Sequence, residues 1–497
     1  MKLGVLAERA GIAISGGGDQ TVTGFAIDHR KIAAGTVFGA FRGASFNAED
    51  VILDAVATGA IAVVTRPEVA VEGAVHIADA EPRRAFARLA AQFFTPVPST
   101  IVAVTGTNGK TSTVEMTRQI WRMGGERAAS IGTLGVTTPD ESISTGLTTP
   151  DIVTFLSNMS GLAREGVTHV AYEASSHGLS QYRNEGVPVA AAAFTNLSRD
   201  HLDYHADMED YFVAKMRLFD EVVEPGAAAI IWCGETDSEW SSRAIEHALK
   251  NSLRVFTVGE RGDDIRLLAH TPTQLGQELE LEFEGRAYRV KLPLIGAYQA
   301  ANALVAAGLA ITTGSDAGTV FDALGRLQPV RGRLERAAIT ANGAPVYVDY
   351  AHTPDALEAA IAALRPHVAG RLITVFGAGG DRDQGKRAPM GAAASAHSDM
   401  VIVTDDNPRG EDAATIRAAV MAGAGSNARE IGDRRAAIAA AVAEAQPDDI
   451  VLVAGKGHEQ GQIIGSGDNM RVLPFDDVAV ARECAGAQGA NAQGAGR

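Results

Sequence analysis

Residues 99–125 read STIVAVTGTNGKTSTVEMTRQIWRMGG. The first six residues, Ser99 to Val104, are an apolar, β-branched run of strand character. Gly106-Thr107-Asn108-Gly109-Lys110-Thr111 follows at once, and then a helical stretch from Ser112 to Met123 stopped by Gly124-Gly125. A strand, a glycine loop and a helix in that order make an anion site. Glycines let backbone N–H groups approach a phosphate, and the helix N-terminus adds positive potential. Lys110 would reach a terminal phosphate and the Thr111 hydroxyl would ligate Mg²⁺. The spacing is the short form G-x-x-G-K-T, because Val stands at 104 where the longer pattern needs Gly. The alternative is an ordinary strand–turn–helix junction with a solvated lysine.

Working outward, the flanking sequence alternates between β and α character. β runs lie at 168–172, 189–194 and 227–232, with helical patterns at 152–164 and 211–222. Beyond about residue 328 a second such series begins. Its β runs are 346–348, 372–376, 400–403 and 450–453, and its Ala-rich helical stretches are 355–364, 416–422 and 434–445. Alternation of this kind predicts mostly parallel sheets covered by helices. Upstream, short β-like runs at 35–41 and 60–65 and a helical stretch at 83–94 precede Thr95-Pro96-Val97-Pro98, which reads as a linker. The expected fold class is therefore α/β, divided into residues 1–97, 98–327 and 328–484. The end, 485–497, is Ala, Gly, Gln and Asn with almost no large apolar residue, and reads as a disordered tail.

Length and composition agree. A chain of 497 residues suggests about three domains. Lys and Arg number 44 against 60 Asp and Glu, for a net charge of −16. That balance argues against nucleic-acid binding, which needs a basic face, but not against small anions held by local cations. Two cysteines, Cys233 and Cys484, make neither a disulfide framework nor a thiolate zinc site, and suit a reducing cytoplasm. The opening MKLGVLAERAGIAI is interrupted by Glu8 and Arg9 and lacks a signal-peptide core. No apolar run reaches the roughly 18 residues that a membrane span needs.

The polar clusters follow directly on the β runs. They are 105–111, 173–177 and 195–201 in the middle block, and 349–355, 377–387, 404–409 and 455–459 in the last. In open parallel sheets ligands bind beyond the carboxyl ends of the strands, so each set is expected to gather at one sheet edge, and the two edges to make one cleft. Glu173 ends an apolar run, where a carboxylate needs a partner or a metal. His201 lies in Asp200-His201-Leu202-Asp203, and Lys215 in a helical stretch where the plain reading is a solvated lysine.

Thr105-Gly106-Thr107-Asn108-Gly109-Lys110-Thr111-Ser112 resembles the ATP loop of the Mur ligases, ATP-dependent amino-acid-adding enzymes of peptidoglycan precursor synthesis. Further matches follow in the family's order. They are Thr148-Thr149-Pro150, Glu173-Ala174-Ser175-Ser176-His177, Asp200-His201-Leu202-Asp203, Tyr211-Phe212-Val213-Ala214-Lys215, Gly332-Arg333-Leu334-Glu335 and Asp349-Tyr350-Ala351-His352-Thr353-Pro354-Asp355. The last are Gly379-Gly380-Asp381-Arg382-Asp383, Asp406-Asn407-Pro408-Arg409 and Gly455-Lys456-Gly457-His458-Glu459. These are similar to the members that add the third residue, and Asp-Asn-Pro-Arg to those that add meso-diaminopimelate.

The resemblance implies a smaller N-terminal α/β domain that binds a UDP-substrate, a central P-loop ATPase-like domain with a parallel sheet, and a C-terminal Rossmann-like domain. It implies that ATP phosphorylates the D-Glu γ-carboxylate of UDP-N-acetylmuramoyl-L-Ala-D-Glu. The amine of meso-2,6-diaminopimelate then attacks the acyl phosphate. It also implies the site residues. Gly106, Thr107, Asn108, Gly109, Lys110, Thr111 and Ser112 would hold ATP, with Asn302, Arg333 and Asp349. Lys110, Glu173, Lys215 and His201 would be catalytic. Thr111, Glu173, His201 and Lys215, as its carbamate N6-carboxylysine, would hold Mg²⁺. Thr148, Thr149, Ser175, Gln181 and Arg183 match contacts to the UDP-substrate. Arg382, Asp406, Asn407, Pro408, Arg409, Gly455 and Glu459 match the diaminopimelate site. The expected enzyme is a cytoplasmic monomer with small-molecule substrates, no nucleic acid and no stable membrane insertion.

Departures from the pattern lie at Asp28-His29-Arg30, Gly43 to Asp50, Leu147, Gln299 and Ile230 to Asp237. Rival readings are a superfamily ligase adding L-lysine or resembling folylpolyglutamate synthase, a P-loop phosphotransferase or nucleotide switch, and an inactive binding module. Residues 1–97 and the 406–409 motif argue against the folate-type ligase. The last-block clusters argue against a simple phosphotransferase. Lys110, Thr111, Glu173 and Lys215 together argue against an inactive module.

Overall fold

Every strand expected from the apolar runs is present in the computed structural model. It describes residues 1–43, 46–138, 140–143, 148–198, 204–235, 239–273, 275–381 and 383–494. Strands β1 (Gly24–Ala26), β2 (Thr36–Gly39), β3 (Ala60–Thr65) and β4 (Val75–Ala78) pair in sequence order, all parallel. Next come β5 (Thr100–Thr105), β6 (Ala128–Gly132), β7 (Gly135–Thr137), β8 (Ser142–Ile143), β9 (His169–Glu173), β10 (Val189–Phe194), β11 (Val223–Trp232) and β12 (Arg254–Gly259). These lie side by side in the order β12-β11-β10-β5-β9-β6-β7-β8, parallel except at β6–β7 and β7–β8.

Chain contacts gather Met1–Arg266 and Asn302–Ala323 into one compact unit, and Leu267–Ala301 with Leu324–Arg497 into a second. β13 (Ile265–Thr273) begins in the first, and an antiparallel hairpin of β14 (Gly276–Phe283) and β15 (Arg286–Leu292) belongs to the second. The second unit is built on β16 (Glu335–Ile339), β17 (Pro345–Asp349), β18 (Leu372–Phe376), β19 (Met400–Val403), β20 (Ala428–Glu430) and β21 (Ile450–Ala454). Their order is β16-β17-β21-β18-β19-β20, parallel except for the edge pair β16–β17. A two-stranded hairpin of β22 (Gly461–Ile464) and β23 (Arg471–Pro474) follows.

Burial explains why these runs read as continuous apolar stretches. Along β18 and β19, Leu372, Phe376, Val401 and Val403 enter one core and Ile373, Val375 and Ile402 the other. Successive side chains leave opposite faces of a strand, so a sheet covered on both sides buries them all. Helices are started by the residues that the sequence offers. Asp151 accepts from Val153 N and Thr154 N at 3.0 and 3.1 Å to cap Ile152–Arg164, and Thr353 with Pro354 opens Pro354–Leu364.

Three sequence expectations change. The helix after β5 starts at Lys110, so Lys110 and Thr111 sit in its first turn; Gly109, at φ +85°, makes the reversal that lets the helix begin there. The helical stretch at 211–222 is an α-helix, Met208–Arg217, that widens into a π turn at Leu218–Val222. The expected disordered tail is helical as far as Gly494, within Asp477–Gly494. Val478, Val480, Ala481 and Ala485 anchor that helix in the core, and alanine, the strongest helix former, extends a helix already nucleated. Among the described residues no helix is long and apolar enough to cross a membrane.

Candidate active site

β9, β5 and β10 are neighbours, with Glu173 in register with Val104 and Phe194 with Thr105. The clusters that follow these strands therefore share one sheet edge, as the sequence predicts. The 106–109 loop is tied to the turn after β10. Thr107 N donates to Asn196 O at 2.8 Å, Asn108 N to Asn196 Oδ1 at 3.0 Å, and Thr195 Oγ1 to Asn108 O at 2.6 Å. Gly106 has φ +144°, and a Cβ there would collide with Thr195 Oγ1. A Cβ on Gly109 would collide with Asn302 Oδ1, which places Asn302 against the loop. Gly109→Ala is accordingly expected to destabilise the protein by about 1–2 kcal/mol from the left-handed backbone alone, and to displace Asn302; thermal unfolding reads the first effect and nucleotide titration the second.

Two lysines distant in sequence meet on one carbonyl. Lys110 Nζ donates to Gly106 O at 2.9 Å and to Thr107 O at 2.8 Å, while Lys215 Nζ donates to Gly106 O at 2.8 Å. Lys215 is 1% exposed, with its ammonium 4.2 Å from the centre of the Tyr211 ring. The solvated-helix reading of Lys215 is thus wrong. The π turn that follows and Asp207, which caps the helix through Asp210 N at 2.8 Å, fix the helix face that carries it. Thr111 and Ser112 are buried in the same first helical turn as Lys110.

Glu173 is 2% exposed. Its Oε1 accepts from Thr133 N at 2.7 Å, its Oε2 from Thr133 Oγ1 at 3.2 Å, and its backbone O from Thr149 Oγ1 at 3.0 Å. Among the described residues no three His, Cys, Asp or Glu side chains group into a metal cage. Mg²⁺ needs none: a hydroxyl, one carboxylate and phosphate oxygens suit it, and Thr111 and Glu173 are oxygen donors of that kind. His201 lies outside the described residues.

The other predicted contacts of this unit converge beside Glu173. Thr148 Oγ1 and Thr133 Oγ1 are 3.0 Å apart, and Thr149 Oγ1 and Ser175 Oγ 2.9 Å apart. Arg183 donates to Thr149 O at 3.1 Å and to Gln181 Oε1 at 2.7 Å. Gln181 and Arg183 line a cleft with Ile27, Phe41, Arg83, Asp151 and Ile152. Arg83 and Phe41 were not singled out in the sequence. Arg83 lies 4.8 Å from the Phe41 ring centre, and burial, with the Arg183 charge second, lowers its pKa. Nearby, His205 joins Ser176 Oγ at 3.0 Å to Asp210 Oδ2 at 3.1 Å, linking the turn after β9 to the helix that bears Lys215. Asp28, next to the departure at His29, accepts from Arg30 at 2.8 and 3.0 Å, and that hydrogen bonding holds its carboxyl at about 2.

In the second unit the four clusters follow β17, β21, β18 and β19, four adjacent parallel strands. Asp349, buried, accepts from Leu334 N at 2.7 Å and Ala351 N at 2.9 Å; burial raises its pKa against the opposing charge of Arg333. The Arg333 guanidinium stands 4.8 Å from the Tyr350 ring centre, and among the described residues its buried Nε has no hydrogen-bond partner. The His458 ring centre lies 5.0 Å from that of Tyr350, the planes tilted by 42°, and burial together with the Arg333 and Arg331 charges pushes its pKa down to about 4.

After β19 the chain makes a locked turn. Asp406 and Asn407 are buried, and Asn407 Nδ2 donates to Glu459 Oε2 at 2.9 Å. Arg409 sits at φ +51°, held by its N–H on Ile463 O at 3.0 Å and its carbonyl under Gly465 N at 2.7 Å, while its Nη1 donates to Gly380 O at 2.8 Å. A Cβ on Gly380 would collide with Pro408 O, so the two turns pack backbone to backbone. Glu411 is engaged by Arg387 at 2.8 Å and Asp412 by Thr415 N at 2.9 Å, and among the described residues no ion pair joins either to Arg409. Gly455, at φ +119°, brings its backbone against Asp406 Oδ2. Arg382 lies outside the described residues; its neighbour Asp381 accepts from Gly410 N at 2.9 Å.

Comparison with known proteins agrees over most of the chain. Residues 104–310 match the Mur ligase middle domain and residues 332–457 the glutamate ligase domain of Mur ligases. A UDP-N-acetylmuramoyl-L-alanyl-D-glutamate–2,6-diaminopimelate ligase of Zymomonas mobilis is 57% identical over 482 residues, covering 97% of this chain and 98% of that one. A solved structure of a ligase with the same name is 33% identical, with a TM-score of 0.74 over 97% of this chain and 99% of the other. Folylpolyglutamate synthase of Mycobacterium tuberculosis complexed with ADP and AMPPCP, at 21% identity, shares the fold with a TM-score of 0.61 but covers 76% of this chain and 92% of its own.

Proposed function

The chain belongs to the Mur ligase family, and on that premise we propose that it is the ATP-dependent ligase that adds meso-2,6-diaminopimelate to the D-Glu γ-carboxylate of UDP-N-acetylmuramoyl-L-Ala-D-Glu in peptidoglycan precursor synthesis. The observation that carries this reading is the full-length match to a relative named for that reaction. A γ-carboxylate oxygen attacks the terminal phosphorus of ATP, and ADP leaves. The amine of diaminopimelate attacks the acyl carbon, loses a proton and expels phosphate. Both steps need a fixed cation at the phosphoryl group and aligned reactants.

The 106–112 loop and helix start, with Lys110 as the cation, hold the ATP phosphates, and Asn302, Arg333 and Asp349 complete the ATP contacts. Magnesium, when bound, neutralises phosphate charge; Thr111, Glu173, His201 and Lys215 as N6-carboxylysine are its proposed ligands. Lys215 suits that modification. Its amine is buried beside a second ammonium on the same carbonyl. Attack of the neutral amine on CO₂, with loss of a proton, replaces that crowded charge by a carbamate. Thr148, Thr149, Ser175, Gln181 and Arg183 hold the UDP-substrate, and Arg83 adds a second guanidinium to the cleft. The divisions 1–97, 98–327 and 328–484 are kept as the functional domains, and the enzyme works as a cytoplasmic monomer.

Selection of meso-diaminopimelate over L-lysine falls to the 406–409 turn. The two differ by a carboxylate on the distal carbon, which a guanidinium binds with two parallel hydrogen bonds. Arg409 is the residue proposed for it, with Arg382, Asp406, Asn407, Pro408, Gly455 and Glu459 around the same amino acid. ADP release with the UDP-muramoyl dipeptide and a panel of amino acids tests the assignment. Wild type should strongly prefer meso-diaminopimelate. Arg409→Ala should lose about 2 kcal/mol, roughly thirtyfold, in kcat/KM for it, with ATP binding retained. Equal use of lysine, or unchanged diaminopimelate kinetics in Arg409→Ala, would refute the specificity assignment and leave the ligase assignment standing.

A further inference from the structure

Lys456, in the turn after β21, has a side chain with no solvent exposure. Its ammonium donates to Asn407 Oδ1 at 2.7 Å and to Gly461 O at 2.8 Å, and lies 3.3 Å from Asp406 Oδ1 and 3.8 Å from Glu459 Oε2. These oxygens come from the turn after β19, from the start of β22 and from the turn after β21. Asn407 is the hinge of the arrangement. Its Oδ1 takes a second hydrogen bond from Ile463 N at 2.9 Å, and its Nδ2 reaches Glu459. The same β22 backbone holds Arg409 through Ile463 O.

A buried ammonium is a poor way to gain stability. Its desolvation costs several kcal/mol, and apolar replacements of buried ion pairs are often neutral or better. What a small cation with several donors does supply is a fixed meeting point for oxygens from separate segments. Here those oxygens belong to residues proposed to bind the incoming amino acid, and they include two carboxylates that would otherwise repel each other.

We propose that Lys456 is a positioning residue for the incoming diamino acid: its ammonium fixes Asn407, Asp406 and Glu459 in the arrangement that receives the ligand, without itself acting in catalysis. This rests on the reading of the 406–409 turn and Glu459 as the diaminopimelate site.

Steady-state kinetics of the full chain carrying Lys456→Met test it. The KM for meso-diaminopimelate should rise on the order of tenfold or more, because small misplacements of binding groups carry costs of that size. The KM for ATP and the kcat at saturating amino acid should change less than about threefold. In the double variant Lys456→Met with Asn407→Ala, the rise in KM for diaminopimelate should be smaller than the product of the two single rises, because part of the lysine's effect passes through that side chain. An unchanged KM for diaminopimelate would overturn the proposal. So would a loss spread evenly over kcat and both KM values, the pattern of a lysine that only stabilises the fold. Should Lys456→Met fail to fold by thermal unfolding, Lys456→Gln, which removes the charge that faces Asp406 and Glu459 while keeping a polar side chain, is read by the same split. A wild type that does not use meso-diaminopimelate would instead overturn the reading of the pocket itself, and the wild-type control makes the two failures distinguishable.

Discussion

Lys110→Ala is expected to lower ligation turnover by roughly 10²-fold or more while leaving the protein folded. The half-buried side chain donates to loop carbonyls, Gly106 O and Thr107 O, at the start of the helix. Alanine is also at least as good a helix former as lysine in the first turn of Lys110–Met123. Under the proposed function, what disappears is a preorganised cation at the end of the glycine loop, where charge would develop on the transferring phosphoryl group. ADP release assayed beside thermal unfolding separates the two effects. Near-normal ligation by a folded variant would remove this loop from the mechanism.

Lys215→Ala is expected to be almost inactive, also by roughly 10²–10³-fold, for a different reason. The residue is buried, so truncation costs some packing, but its chemistry under the proposed function is that of an anionic chelator. Short carboxylates such as acetate should then restore part of the activity of the alanine variant, by placing an oxygen anion in the space the lysine leaves beside Gly106 O, where it can take the carbamate's place as a magnesium ligand. Mass measurement of the wild type under CO₂ should detect the carbamate. An active enzyme with an unmodified Lys215 amine, or an alanine variant with near-normal turnover, would contradict the assignment. The contrast with Lys110 is informative, because carboxylate addition should rescue only the Lys215 variant.

The two lysines also show what could and could not be read in the sequence. Lys110 was legible because its neighbours are local: strand, glycines and helix occur within one stretch, and each has its own signature. The strands were legible for the same reason, since sheets covered on both faces need unbroken apolar runs. The gathering of polar clusters at strand ends followed from the parallel topology. Lys215, by contrast, is ordinary in a Tyr-Phe-Val-Ala-Lys helix, and it is tertiary contacts, such as its hydrogen bond to Gly106, 109 positions away, that distinguish it. Family resemblance supplied that residue where pattern alone did not. Thr133, which holds both oxygens of Glu173, follows a glycine after a short strand and carries no signal of its own. Arg83 and Phe41 enter the cleft through tertiary packing in the first unit. The tail is helical although its low hydrophobicity reads as disorder, because an alanine-rich segment joined to an anchored helix needs little further burial to continue it.

The most direct test of the account is the product made when wild-type protein, ATP, Mg²⁺ and UDP-N-acetylmuramoyl-L-Ala-D-Glu are incubated with equal meso-diaminopimelate and L-lysine, and the UDP-linked product is weighed by mass spectrometry. The account predicts one new species, the dipeptide substrate extended by diaminopimelate through an amide, with ADP and phosphate released in step with it. A lysine-extended product, or ATP consumed with no extension of the UDP-linked substrate by either amino acid, would contradict it.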